Sequence, residues 1–187
     1  TPPQRAADET VTVSLTFEGG VPVALDGRPL PLVDLITALN VTGGRCGIGK
    51  IDILEDGIMD LKSREVYEAP AAAIILKAHR DLEQLCLTKE EIQFKRGVDA
   101  TWASLVYHGQ WFHPLKADLD AFIEWSQQVV SGTVTLRLYK GSVEIASRDS
   151  STSLFFPDLR SIATGGFDQR LCGPAAAIRG LPFEILA

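Results

Sequence analysis

Apolar residues at Val11, Val13, Leu15 and Phe17 alternate with Thr12, Ser14 and Thr16. Successive side chains of an extended strand point to opposite faces, so this pattern predicts a strand with one buried face. Gly19 and Gly20 then form a turn pair that tolerates positive φ, and Val21, Val23 and Leu25 alternate after it, which predicts a β-hairpin. The two-residue period returns at Val134, Leu136 and Leu138. Lys140 and Gly141 turn the chain, and Val143 and Ile145 complete a second hairpin.

Between the hairpins the period is mostly helical. Asp26 and Gly27 turn the chain into Leu32, Leu35, Ile36 and Leu39, which predict a helix with Pro31 in its first turn, ending at Asn40 and the glycines that follow. Short strands are predicted at 50–55 and within 59–67. Pro70 opens a helix that carries Ile74, Ala78, Leu82 and Leu85 on one face. Thr88 and Glu91 have capping-box spacing and start another helix, supported further on by Trp102, Leu105 and Val106. Leu115, Leu119, Phe122 and Ile123 predict one more, ending near Gly132. The tail is broken by Gly165, Gly166, Gly173 and Pro174, and 177–186 is expected to add a last strand. Hairpins near both ends, with helices massed between them, predict an α+β fold with a mixed or antiparallel sheet rather than a doubly wound nucleotide fold.

The 187 residues, 45% of them hydrophobic, suit one core. The polar opening TPPQRAADET, with its Pro-Pro step, reads as a linker, so residues 1–10 are expected to lead from a preceding domain and 11–187 to form the domain itself. The net charge of −6, without clustered Lys or Arg, lacks the electrostatic footprint of a nucleic-acid binder. The longest apolar run, 69–76, is far too short to span a bilayer, and no basic-then-apolar leader opens the chain. Cys46, Cys86 and Cys172 are widely spaced and lack metal-ligand spacing. This is the usage of a reduced, intracellular protein.

The candidate chemistry lies in GGRCGIGKIDILE (43–55) and KSREVYEAP (62–70). Ile51, Ile53 and Glu55 share a strand face, so a carboxylate ends an apolar stripe, where it needs a partner. Position alone favours a strand-end salt bridge or solvent exposure for Glu55. For Tyr67, at a strand-to-helix junction, it favours core packing with the hydroxyl at the surface. Lys62 and Arg64 read as solvated or ion-paired. The glycine loop is not a phosphate loop, since a strand follows it and no Gly-Lys-Ser/Thr is present. The glycines suit a tight turn. His79, His108 and His113 have no metal-like companions, and no metal site is expected. Trp111 and Phe112 suit a core or subunit interface.

These landmarks, with FEGGVPVALDG (17–27), LVYHGQWFHPL (105–115), SGTVTLRLYKGS (131–142), SRDSSTSL (147–154) and a late GLP (180–182), resemble in order the C-terminal portion of argininosuccinate synthases. The resemblance runs over nearly the whole chain. It implies an ATP-dependent ligase of arginine biosynthesis that joins citrulline to aspartate, releasing pyrophosphate and AMP. It further implies that ATP, with Mg²⁺, is bound by an N-terminal domain upstream of Thr1 that also holds aspartate. This segment would contribute citrulline binding through Glu55 and Tyr67, no catalytic residue, and contacts within a homotetramer. On this basis the segment alone is expected to be inactive. The family usually has His, Arg, Asn-Arg and Gly where this chain has Cys46, Lys50, Asp56-Gly57 and Asp60. A non-catalytic oligomerisation or binding module is the alternative.

Overall fold

The computed structural model describes residues 1–160 and 165–185. They form two compact units, Thr1–Leu154 and Phe155–Ala187. In the first, β1 (Val11–Glu18), β2 (Val21–Leu25) and the short β3 (Arg28–Pro29) precede helix α1 (Leu32–Arg45). A separate hairpin follows, β4 (Lys50–Asp56) and β5 (Lys62–Glu68). Helices α2 (Pro70–Cys86), α3 (Lys89–Tyr107) and α4 (Pro114–Gln127) come next, then β6 (Gly132–Tyr139) and β7 (Ser142–Asp149).

The two hairpins predicted near the ends of the chain join in one antiparallel sheet of order β3-β2-β1-β6-β7. The seam is the β1–β6 pair, in register Val13↔Leu136 and Leu15↔Val134. One face of the sheet buries Val13, Leu15, Phe17, Val134, Leu136 and Leu138, and α1 and α2 supply Leu35, Leu39, Ile74, Ala78 and Leu82 to the same core. The other face is polar. There Ser14 and Thr135 pair through their hydroxyls at 2.9 Å, and Thr16 and Thr133 at 3.0 Å.

The ends of the helices have identifiable causes. Thr88 accepts from the Glu91 amide while the Glu91 side chain accepts from the Thr88 amide, so both halves of the capping box are made. His113 caps α4 by accepting from the Leu115 amide at 3.1 Å. The N-terminus of α2 is capped from outside its own chain segment, because Asn40 Oδ1 accepts from the Ala71 amide at 2.9 Å.

Two expectations are corrected. Helix α1 does not stop at Asn40 but runs through the glycines to Arg45. Gly43 is a contact residue: a β-carbon there would sit 2.8 Å from Ile74 Cδ1 and 2.9 Å from Pro70 Cβ, so its lack of a side chain lets α1 and α2 approach. The expected strand at 177–186 is helical as far as Glu184. In the second unit α5 (Pro157–Arg160) is followed by α6 (Cys172–Glu184), and Leu186 lies outside the described residues. Leu181, Phe183 and Ile185 alternate as a strand would, but the run Ala175, Ala176 and Ala177 just before them favours a helix, and the helix continues to Glu184.

The β4–β5 hairpin leaves the first unit at Gly49. This residue has φ of +92°, and a β-carbon on it would fall 2.4–2.6 Å from the Pro70 amide nitrogen and Cα and the Ala69 carbonyl carbon. The Gly49 carbonyl accepts from the Ala69 amide at 2.9 Å, which ties the start of the hairpin to the start of α2. Gly49→Ala combines a disfavoured backbone conformation with overlap against backbone. It is expected to cost about 2–3 kcal/mol and to lower Tm by roughly 5–10 °C, measured by thermal unfolding followed by circular dichroism.

Candidate functional site

Among the described residues, strands β4 and β5 pair only with each other, so the hairpin forms a two-stranded arm. The register Ile51↔Tyr67, Ile53↔Glu65 and Glu55↔Ser63 gathers these six side chains on one face. Glu55, Ser63 and Glu65 are half-buried. Tyr67 is 43% exposed. The opposite face carries Lys50, Asp52, Leu54 and Asp56 from β4 and Lys62, Arg64, Val66 and Glu68 from β5.

The two residues singled out from sequence meet on the first face. The Tyr67 hydroxyl donates to Glu55 Oε1 at 2.8 Å, reaching diagonally along the arm rather than to the residue directly across. Neither position alone suggested this pairing: Tyr67 does not pack in the core, and Glu55 has no cation beside it in an ion pair. The Ser63 hydroxyl donates to Glu65 Oε1 at 2.9 Å. Lys62 and Arg64 are ion-paired, as their sequence setting suggested. Lys62 Nζ is 2.7 Å from Asp56 Oδ2, and Arg64 makes a two-pronged contact with Asp52 at 2.9 and 2.6 Å. The Arg64 guanidinium holds the Asp52 carboxyl below its usual range.

The Glu55 carboxylate, by accepting the hydrogen bond from Tyr67, pushes that phenol up to about 12. Local desolvation and the negative charges of Glu55 and Glu65 act in the same direction. The hydroxyl is therefore a donor across the whole physiological range, and it holds one oxygen of Glu55 in place.

Helix α3 braces the far end of the arm. The Tyr107 hydroxyl points at the Asp56 carbonyl at 3.4 Å, and a cleft of about 430 Å³ lies between Asp56, Gly57 and Asp60 on the arm and Ala103, Ser104, Tyr107 and His108 on α3. At the other end a cleft of about 420 Å³ runs along Pro3, Gly47, Lys50 and Glu68. The tip itself is apolar and open: Ile58, Met59 and Leu61 are exposed, Met59 to 80%. Asp60 turns the tip with φ of +56°, in the left-handed region that favours glycine. The three histidines have structural partners. His79 meets Gln127 Oε1 at 2.8 Å, His108 Nδ1 meets the Ser104 carbonyl at 2.7 Å, and His113 is the α4 cap.

Comparison with known proteins decides the family. The profile described as "Arginosuccinate synthase C-terminal domain" matches residues 1–186. The chain belongs to this family. It is 46% identical over 181 residues to the argininosuccinate synthase of Rubrobacter xylanophilus, covering 96% of this chain and 44% of that protein. It is 47% identical over 179 residues to that of Methanopyrus kandleri, with 96% and 45% covered. Against that of Symbiobacterium thermophilum it is 46% identical over 186 residues, with 99% and 46% covered. The chain thus spans a little under half the length of these relatives. Among the described residues no helix is long and apolar enough to cross a membrane.

Glu65 is the member of this face that the motif reading passed over. The signal was present, since it lies two residues from Tyr67 and so shares its face.

A raised folded-state pKa stabilises below the unfolded value and stops doing so above the folded one. The Tyr67–Glu55 contribution is therefore complete below about pH 10 and is lost as pH rises from about 10 to about 12. Titration of phenolate absorbance should show one tyrosine ionising only near pH 12, and Glu55→Gln should bring that midpoint back toward 10.

Proposed function

We propose that this chain is the citrulline-binding and oligomerisation part of an argininosuccinate synthase, a cytoplasmic ATP-dependent carbon–nitrogen ligase of arginine biosynthesis. The observation that carries the reading is the Tyr67–Glu55 hydrogen bond on an open, half-apolar face, at the two positions where the family resemblance places citrulline contacts.

Citrulline brings an α-ammonium and a ureido group, both hydrogen-bond donors, on an aliphatic stem. Glu55 Oε1 is occupied by Tyr67, and Oε2 is left to accept from a ligand donor through a charge-assisted bond. Ile51 and Ile53 give the stem an apolar floor, and the Tyr67 ring limits the width of the site. Both polar residues bind and orient, and no proton transfer is assigned to either. ATP with Mg²⁺, and aspartate, would be held by the N-terminal domain of the same enzyme. That domain would complete the site above this face and cover the apolar tip of the arm. The 187-residue chain alone is then expected to form no argininosuccinate from citrulline, aspartate and ATP.

Self-association is supported by a different region. Trp111, Phe112 and Trp125 of the α3–α4 segment are exposed, Phe112 to 95%, which is a large apolar surface for a lone chain. Light scattering at high protein concentration should report an oligomer, and a strictly monomeric mass would remove this part of the proposal.

Glu55→Gln keeps the shape of the side chain and removes its charge. In the full-length enzyme it should weaken citrulline by roughly 1.5–3 kcal/mol, the typical worth of a hydrogen bond to a charged group, while leaving ATP affinity nearly unchanged. Steady-state kinetics or calorimetry reads this directly. An unchanged citrulline constant, or an equal loss for ATP, would make Glu55 a structural residue.

A further inference from the structure

The two faces of the arm treat their carboxylates differently. On one, Asp52 is paired with Arg64 and Asp56 with Lys62, and Lys50 stands opposite Glu68 in the register. That face neutralises itself. The other holds Ile51, Ile53, Glu55, Ser63, Glu65 and Tyr67, two acids and no basic residue. Glu55 and Glu65 are diagonal neighbours across the strands, a relation that places backbones roughly 7–8 Å apart. Among the described residues each is met only by a hydroxyl, Tyr67 on Glu55 Oε1 and Ser63 on Glu65 Oε1. Both are half-buried, so water screens them less than it screens the ion pairs behind them. Two such charges on one face repel each other. A cationic group placed between them relieves that repulsion, whereas an added carboxylate increases it.

We propose that Glu65 is a charge-selecting residue of the same site: its carboxylate draws the ammonium end of the ligand onto this face and disfavours ligands that bring a second carboxylate. The inference rests on the citrulline reading above and deepens it. An enzyme that takes both a zwitterion, citrulline, and a dicarboxylate, aspartate, must keep the second out of the place of the first. A face with two unneutralised acids does this by charge. The Ser63 hydroxyl holds one Glu65 oxygen and leaves the other to the ligand, which repeats the arrangement that Tyr67 imposes on Glu55.

The test uses the full-length enzyme with Glu65→Gln, Glu65→Asp and Glu55→Gln. Glu65→Gln should raise the citrulline KM roughly 3–10-fold, about the range of one partly screened charge interaction, with kcat and the ATP KM unchanged. The difference from wild type should shrink as NaCl rises from about 50 to about 500 mM, since screening shortens the reach of the charge. Aspartate should compete with citrulline more strongly in Glu65→Gln than in wild type. Glu65→Asp, which restores the charge, should recover most of the citrulline KM.

An unaltered citrulline KM in Glu65→Gln overturns the proposal. So does a rise that is independent of salt and not recovered in Glu65→Asp, which would mean that Glu65 acts by holding the arm's shape. The outcomes also separate the two levels. If Glu55→Gln weakens citrulline and Glu65→Gln does not, only this inference fails. If Glu55→Gln has no effect, the citrulline reading beneath it fails as well.

Discussion

The pairing of β1 with β6 is the contact on which the first unit depends. Each hairpin alone is a two- or three-stranded ribbon, and such ribbons are marginal in water. Joined at the Leu15↔Val134 seam, they make a five-stranded sheet with a continuous apolar face broad enough for α1 and α2. Those helices in turn fix the α1–α2 junction, and the arm with Glu55 and Tyr67 emerges from that junction. The candidate site is thus held at one remove by a sheet none of whose residues it uses.

The junction is where precision enters. Gly49 presses its backbone against Ala69 and Pro70, Gly43 lets α1 approach α2, and Asn40 caps α2. All three lie in or beside the glycine-rich stretch that precedes β4. The glycines act sterically, bringing two helices and the two strands of the arm to one point without room for side chains there, and Asn40 acts by its hydrogen bond. At its far end the arm is steadied by Tyr107 on α3.

What could be read from sequence was what is local. Two-residue alternation and the turn pairs at Gly19 and Lys140 announced the hairpins, and Thr88 with Glu91 announced the start of α3. The β1–β6 pairing was not legible, because nothing in either strand names a partner so far along the chain. Asn40 and Gly43 were misread as a helix stop because their contacts lie on α2. In the tail, the short alternation of Leu181, Phe183 and Ile185 reads as a strand, and the helix that starts upstream at Cys172 overrides it. The shared face of Ile51, Ile53 and Glu55 followed from strand geometry. Adding Tyr67 to it needed the β4–β5 register, and the diagonal Tyr67–Glu55 bond needed three-dimensional geometry. The roles given to Glu55 and Tyr67 came from the family resemblance, and Glu65 emerged only when the two faces of the arm could be compared for charge.

The sheet seam also bears on how the chain is made. The hydroxyl pairs that cross it join residues 117 and 121 positions apart. At a synthesis rate of about 5–20 residues per second, β1 waits on the order of 6–24 s for β6 to be synthesised. Throughout that interval its edge offers unpaired amides and carbonyls beside an apolar face made by Val13, Leu15 and Phe17. A nascent chain in that state is a template for strand addition by a neighbour, and the time spent there sets its demand for chaperones during translation.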